Sequence, residues 1–263
     1  MTTNSSLQPV FLPKANEGIA LIDKPSGISS HYVVNHLRHR FNLKRVGHAG
    51  TLDPLATGLL ICLLGRNFTK LQDQFLKQPK VYTCDFSLGF TTDTYDRTGR
   101  KLTQASWPDI AKITRDQVSS ELIGLSGSQL QTVPAFSAVK INGKKLYDKV
   151  LHEPDFDLSN LPSKKVEITK LTLEDWQINP ETKTLSGSLR IACSSGTYVR
   201  SIVHDLGLKL EVGACVMELR RLSIGPWNVV QAAKISDENI KLYQVISQLP
   251  QELKIKNDQP INI

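Results

Sequence analysis

The chain has few cysteines for its 263 residues: Cys62, Cys84, Cys193 and Cys215 lie far apart and form no CxxC pair. Zinc needs several ligands at matched short spacings, so no zinc site is expected. Each cysteine sits among apolar neighbours and reads as a small core hydrophobe in a reducing compartment. Long apolar runs are also missing, since none approaches the roughly 20 residues of a membrane helix. The opening MTTNSSLQPVFLPK has neither a basic start nor an apolar core, so it is not a secretory signal. A protein of the cytoplasm is expected. Gly65 to Lys70 spells Gly-x-x-x-Thr-Lys but lacks the second glycine that a phosphate loop places before its lysine. Acid is scarcer than base: 25 Asp and Glu stand against 32 Lys and Arg, for a net charge of +7 and a pI of about 9.2. That surplus suits a polyanionic partner, because neutralised phosphates release counterions, but it identifies none.

What is present is enough for one large domain: 40% of the residues are hydrophobic. No repeat or low-complexity segment interrupts it. Residues 1–16 are polar and unpatterned and read as an arm. Gly18 to Ile22 reads as a strand ending in the turn Asp23-Lys24-Pro25-Ser26-Gly27. Ser29 or Ser30 then caps a helix with Val33, Val34, Leu37 and Phe41 on its apolar face. Arg38, Arg40, Lys44 and Arg45 crowd the rest of that segment, as a solvated face or as cations facing RNA. Leu59 to Leu64 is a buried strand or helix that periodicity alone does not resolve. Val81 to Gly89 alternates as a half-buried strand, with Tyr82, Cys84, Phe86 and Leu88 on one face. Asp93 and Asp96 follow in ordinary turn chemistry, with no third ligand, so no metal is expected. Thr114 and Gln117 make a capping box for a helix ending at Gly124. Asn142-Gly143 signals a hairpin, surrounded by Lys140, Lys144, Lys145 and Lys149. Val166–Ile178 and Thr184–Cys193 read as strands, and a helix with Ile202, Val203, Leu206 and Leu210 follows.

The stretch Gly47-His48-Ala49-Gly50-Thr51-Leu52-Asp53-Pro54-Leu55-Ala56-Thr57-Gly58 is the most informative. Its glycines permit tight turns, and Pro54 stiffens the chain beside Asp53. On spacing alone, Asp53 is either a helix cap ahead of Pro54 or a carboxylate held on a rigid loop. The wording of the whole stretch resembles the active-site motif of the TruB family of tRNA pseudouridine synthases, G-H-x-G-T-L-D-P-x-A-T-G. GIALIDKPSGISSHYVV, KVYTCDFSLGFTTDTYDRTG, CSSGTYVRSIVHDLG and GACVMELRRL resemble further motifs of that family. Ser29-Ser30 stands where the family usually has Thr-Ser. Phe136 stands where a tyrosine is common, and Val150-Leu151-His152-Glu153 departs from the usual ending of the third motif.

The resemblance implies an α+β fold, with a mixed, largely antiparallel central sheet, flanking helices and a thumb insertion at about residues 131–162. It covers residues 17–228 as a catalytic domain. The remaining 229–263 are a short extension, roughly 35 residues, less than a PUA-type domain requires. It further implies an isomerase acting on uridine 55 in the TΨC loop of tRNA, with Asp53 as the catalytic carboxylate. Arg200 would pair with Asp53, Tyr82 would pack on the target base, and Tyr198 and Leu219 would line the pocket. His48, Lys24 and Lys70 are further implied substrate contacts. An adjacent arginine favours an ionised carboxylate. The rearrangement consumes nothing, so no cofactor is expected. The expected partner is the tRNA T-arm, bound by a monomer. Three rivals stay open: a relative working on a guide-RNA scaffold, a non-enzymatic RNA binder, and a metal-dependent nuclease.

Overall fold

The computed structural model describes residues 16–141, 143–153, 156–157 and 161–243. The expected N-terminal arm before Asn16, Asn142 of the hairpin turn and the extension after Tyr243 lie outside the described residues. In chain order the elements are β1 (Gly18–Lys24), α1 (Ser30–Arg40), β2 (Val46–His48), β3 (Thr57–Leu64), α2 (Arg66–Thr69), α3 (Gln72–Leu76), β4 (Lys80–Leu88), β5 (Phe90–Thr92) and β6 (Lys101–Gln104). There follow α4 (Trp107–Ile110), α5 (Arg115–Gly124), β7 (Gly127–Thr132), β8 (Lys140–Ile141), β9 (Lys144–Lys145) and α6 (Leu146–His152). The last are β10 (Ser163–Asn179), β11 (Thr184–Cys193), α7 (Val199–Lys209), β12 (Ala214–Ile224), β13 (Trp227–Asn228) and β14 (Ala233–Lys234).

One sheet dominates, in the order β14-β1-β3-β12-β4-β11-β10-β7, with β2 added to β3 and β13 to β12. Among the described strands only the β1–β14 and β12–β3 pairs are parallel. The expected mixed, mostly antiparallel α+β architecture is therefore present. β3 is the segment that periodicity left open. It is a strand because it is buried on both faces: Leu60, Cys62 and Leu64 join one apolar cluster and Leu59, Ile61 and Leu63 the other. Such a strand has no polar side to alternate with. β4 alternates as read, with Tyr82, Cys84, Phe86 and Leu88 buried. All four cysteines are buried and free.

The helix starts follow their caps. Ser29 Oγ accepts the Tyr32 amide at the start of α1, and Val33, Val34 and Leu37 bury its apolar face. Thr114 and Gln117 form the reciprocal capping box of α5. Between β7 and β10 the chain leaves the main sheet for the β8–β9 hairpin and α6. Val133 N donates to Pro162 O, 2.9 Å, where it leaves and returns. None of the described helices is long and apolar enough to cross a membrane.

Candidate active site

Asp53 lies on the connection between β2 and β3, and no helix follows it. Its carbonyl accepts the Ala56 amide at 3.0 Å, so Asp53 to Ala56 is a tight turn rather than a capped helix. The connection is held peptide by peptide. Ser30 Oγ donates to Leu52 O at 2.9 Å and accepts Leu52 N at 2.8 Å, joining α1 to the loop. Gly27 N donates to Pro54 O at 2.9 Å, and Ser26 Oγ to Leu55 O at 3.0 Å. Arg221 donates from Nη2 to Gly50 O at 2.9 Å and from Nε to Leu59 O at 2.8 Å. Gly58 has φ +99°, and a Cβ there would lie 2.2 Å from Arg221 O, so only glycine lets β3 meet β12 at this point. A side chain on such a loop has little freedom to wander.

Arg200, at the start of α7, meets this loop. Its Nε lies 2.8 Å from Asp53 Oδ2, with side-chain exposures of 5% for the arginine and 38% for the aspartate. Its other nitrogens donate to Thr94 O at 2.6 Å and Phe136 O at 3.0 Å. Asp96 approaches the same Nε at 3.9 Å, while its Oδ1 accepts the Thr98 amide. The arginine is thus fixed on three sides, and one of its fixed partners is the half-open carboxylate.

A cavity of about 330 Å³ opens over the pair. Tyr82, Tyr198 and Leu219 line it together with Asp53 and Arg200. Tyr198 is seated by Gln131, whose side chain accepts Tyr198 N at 2.7 Å and donates to its carbonyl at 3.0 Å. Burial pushes both tyrosine hydroxyls to higher pKa; nearby Arg221 opposes the rise at Tyr82. Both rings therefore enter the cavity neutral, as an apolar wall with a polar tip.

Five of the expected site residues thus meet at one cavity, and three do not reach its wall. Lys24 is fully buried, and its Nζ donates to Pro25 O at 2.9 Å, Ile28 O at 2.7 Å and Pro54 O at 3.3 Å. It straps the first turn to the Asp53 loop. Burial, the largest influence, brings its pKa down to about 8. His48 is half-buried beside the loop, with a buried Nδ1 that has no partner among the described residues. Burial first, then Arg221 and His31, bring its pKa down to about 4. Lys70 is exposed where α2 ends.

Two charged residues of the cavity escaped the sequence reading, Lys80 and Arg221. Lys80 is 5% exposed and Arg221 1% exposed. A signal existed: each stands two residues from a wall residue on the same strand, Lys80 from Tyr82 and Arg221 from Leu219, hence on the same face. Gln131 had no such signal. Among the described residues no group of three or more His, Cys, Asp or Glu is arranged to hold a metal.

Two family models match the chain. "TruB family pseudouridylate synthase (N terminal domain)" covers residues 38–199, and "tRNA pseudouridylate synthase B C-terminal domain" covers residues 200–249. A tRNA pseudouridine synthase B of Protochlamydia amoebophila is 38% identical over 249 residues, 94% of this chain and 86% of the relative. One of Corynebacterium diphtheriae is 37% identical over 221 residues, 84% of this chain and 72% of the relative. A solved structure described as "Crystal Structure of a Cbf5-Nop10-Gar1 Complex" superposes with a TM-score of 0.61 at 25% identity. It covers 84% of this chain, which spans about half (53%) of the solved chain.

Proposed function

The chain belongs to the TruB family of pseudouridylate synthases, isomerases that modify tRNA, and from that premise we propose that it converts uridine 55 of the TΨC loop to pseudouridine with Asp53 as its catalytic carboxylate. The observation that carries the reading is the Asp53–Arg200 pair at 2.8 Å, set in a cavity walled by Tyr82, Tyr198 and Leu219. The reaction breaks the bond from uracil N1 to ribose C1′, turns the base and rejoins it through C5. That requires an ionised carboxylate beside the sugar, as nucleophile or as base. Arg200 orients the Asp53 carboxylate through the 2.8 Å contact from its Nε to Oδ2. The target base must leave its stack, at a cost of a few kcal/mol. Packing on Tyr82 returns roughly 1–3 kcal/mol of it.

The T-arm is the part of the tRNA this surface suits. Lys140, Lys144 and Lys145 are exposed on the hairpin between β7 and β10, which we assign as the thumb. From Lys24 to Leu52 the sequence contains no acidic residue, and this segment includes the whole of α1. Two basic surfaces therefore flank the loop that carries Asp53, as an RNA stem-loop requires. We place the catalytic unit at residues 17–228 and treat the protein as a cytoplasmic monomer.

Incubation with an unmodified tRNA transcript, followed by mapping of pseudouridine, tests the reading. Modification at uridine 55, absent when that position is cytidine, is expected. Modification only when a guide RNA is supplied would place the protein with guide-dependent enzymes instead. Strand cleavage without pseudouridine would make it a nuclease.

A further inference from the structure

The cavity contains more positive charge than the Asp53–Arg200 pair uses. Its lining carries one carboxylate, Asp53, and three cations, Lys80, Arg200 and Arg221. Arg200 is matched by Asp53. Lys80 and Arg221 form no salt bridge among the described residues, although they are 5% and 1% exposed. Both spend hydrogen bonds on backbone carbonyls: Lys80 on Leu76 and Gln78, Arg221 on Gly50, Thr51 and Leu59. A carbonyl supplies a lone pair but no countercharge. Burying two like charges in one cavity is costly, and the hydrogen bonds that hold the loop and the end of α3 offset that cost without neutralising the charge.

Their position on the sheet indicates what they face. β4 and β12 are neighbours, with Arg221 opposite Tyr82 and Ile224 opposite Lys80. Lys80, Tyr82, Arg221 and Leu219 therefore form one patch on one face of the sheet. Tyr82 and Leu219 are the walls proposed above for the base, so the two cations border the base itself. Resting on that reading of the cavity, we propose that Lys80 and Arg221 are catalytic residues that stabilise the negative charge the uracil acquires when it is detached from the ribose.

The charge follows from the bond that breaks. Either Asp53 bonds to C1′ or it takes the proton from C2′. In both cases the electron pair of the C1′–N1 bond goes to the base, which becomes an anion delocalised over N1, O2 and O4. Rejoining reverses the flow. C5 forms its bond to C1′, and Asp53 regains its lone pair or returns its proton to C2′. The C5 proton is then lost and N1 is protonated, so nothing is consumed. Fixed cations beside the base lower the barrier only while the base is charged, which is the differential binding that accelerates a chemical step.

The same patch makes the effect dependent on pH. Burial, reinforced by Arg221 and Lys164 and opposed by Cys193, brings Lys80 down to about 8. Cys193 itself, raised to about 11 by burial, remains a thiol in that range. As pH rises past about 8, Lys80 loses its charge and the base anion loses one of its two cations.

Single-turnover rates of pseudouridine formation under saturating enzyme, measured from pH 6 to 10 beside tRNA affinity and thermal melting, test this. Wild-type rate should fall above about pH 8. Lys80→Arg should be faster than Lys80→Gln near neutrality and should lose that decline, because its cation does not titrate. Lys80→Gln should be slower by on the order of 100-fold at neutral pH, with affinity within about threefold. A Lys80→Gln enzyme with an unchanged rate overturns the proposal. So does one that loses affinity instead of rate, which would put the cation on a phosphate. If both variants are equally slow at every pH and melt early, Lys80 is only a cap on the carbonyls of Leu76 and Gln78. A wild type that makes no pseudouridine overturns this proposal together with the function above, whereas an active wild type with a charge-insensitive rate overturns this one alone.

Discussion

Replacing Asp53 with asparagine removes one charge and almost nothing else, which makes its effects separable. The amide keeps an oxygen for Arg200 Nε, now 2.8 Å from Oδ2. Exchanging a charged acceptor for a neutral one costs about 1 kcal/mol. The aspartate side chain is 38% exposed, so solvent screening reduces even that. The melting temperature should therefore fall by no more than about 2–4 °C. Binding should move the other way. Without Asp53 the cavity holds only cations, and an RNA phosphate at about 8 Å gains roughly 0.5–1 kcal/mol at an effective dielectric of about 40–80. Affinity should tighten by about two- to fivefold at low salt, and less as salt is added. Chemistry should nearly stop. A lost general base costs on the order of 10²–10⁴ in rate, and a lost nucleophile up to about 10⁶, so the size of the loss reports the role. Single-turnover assays on an unmodified transcript give the rate, and filter binding gives the affinity. Asp53→Asn that retains a rate within about tenfold of wild type would refute the assignment. An affinity weakened more than tenfold would refute the electrostatic argument.

Two further outcomes follow from the same geometry. His48 has its pKa lowered to about 4 by burial, Arg221 and His31, against 6.5 in an unfolded chain. Between those values the unfolded chain binds a proton that the folded one refuses, so stability falls as pH drops through that window. His48→Gln should remove this component, and urea denaturation at about pH 7 and about pH 4.5 should show the variant gaining on wild type at the lower pH; a pH-independent difference argues against a buried neutral imidazole. On the hairpin, Lys144→Ala with Lys145→Ala should flatten the dependence of log K on log salt by about 0.7–0.9 for each phosphate no longer neutralised, up to two phosphates. Lys144 already pairs with Glu153 at 3.4 Å, so a change nearer that of a single phosphate is within the expectation, and an unchanged slope places the hairpin away from RNA.

The sequence was most legible where side-chain period and burial agree. Alternation in β4 and β11, the caps of α1 and α5, and the turn residues around the Asp53 loop each had a local cause, and the structure follows them. β3 was ambiguous for a physical reason, since a strand buried on both faces has no period to read. The Asp53 loop was found through its wording, yet the wording does not tell which way a side chain points. Lys24 belongs to a motif beside the loop, but its amine is turned inward onto three carbonyls. Tyr82 belongs to another, and reads correctly both as core and as cavity wall, because the cavity is cut into the core.

Lys80 and Arg221 were missed for a reason that applies to any site on a sheet face. Lysine and arginine are almost never buried without a partner, so a strand reading assigns them outward by composition. Lys80 and Arg221 obey the pleat instead: each keeps the side of the sheet that Tyr82 and Leu219 define, and each goes inward with it. Where period and polarity disagree in a regular strand, backbone geometry decides the direction and the charge must be accommodated. Here the carbonyls of Leu76 and Gln78, for Lys80, and of Gly50, Thr51 and Leu59, for Arg221, accommodate it without a countercharge. The part left over is positive charge beside the walls proposed for the base, in a cavity whose one carboxylate is already engaged by Arg200.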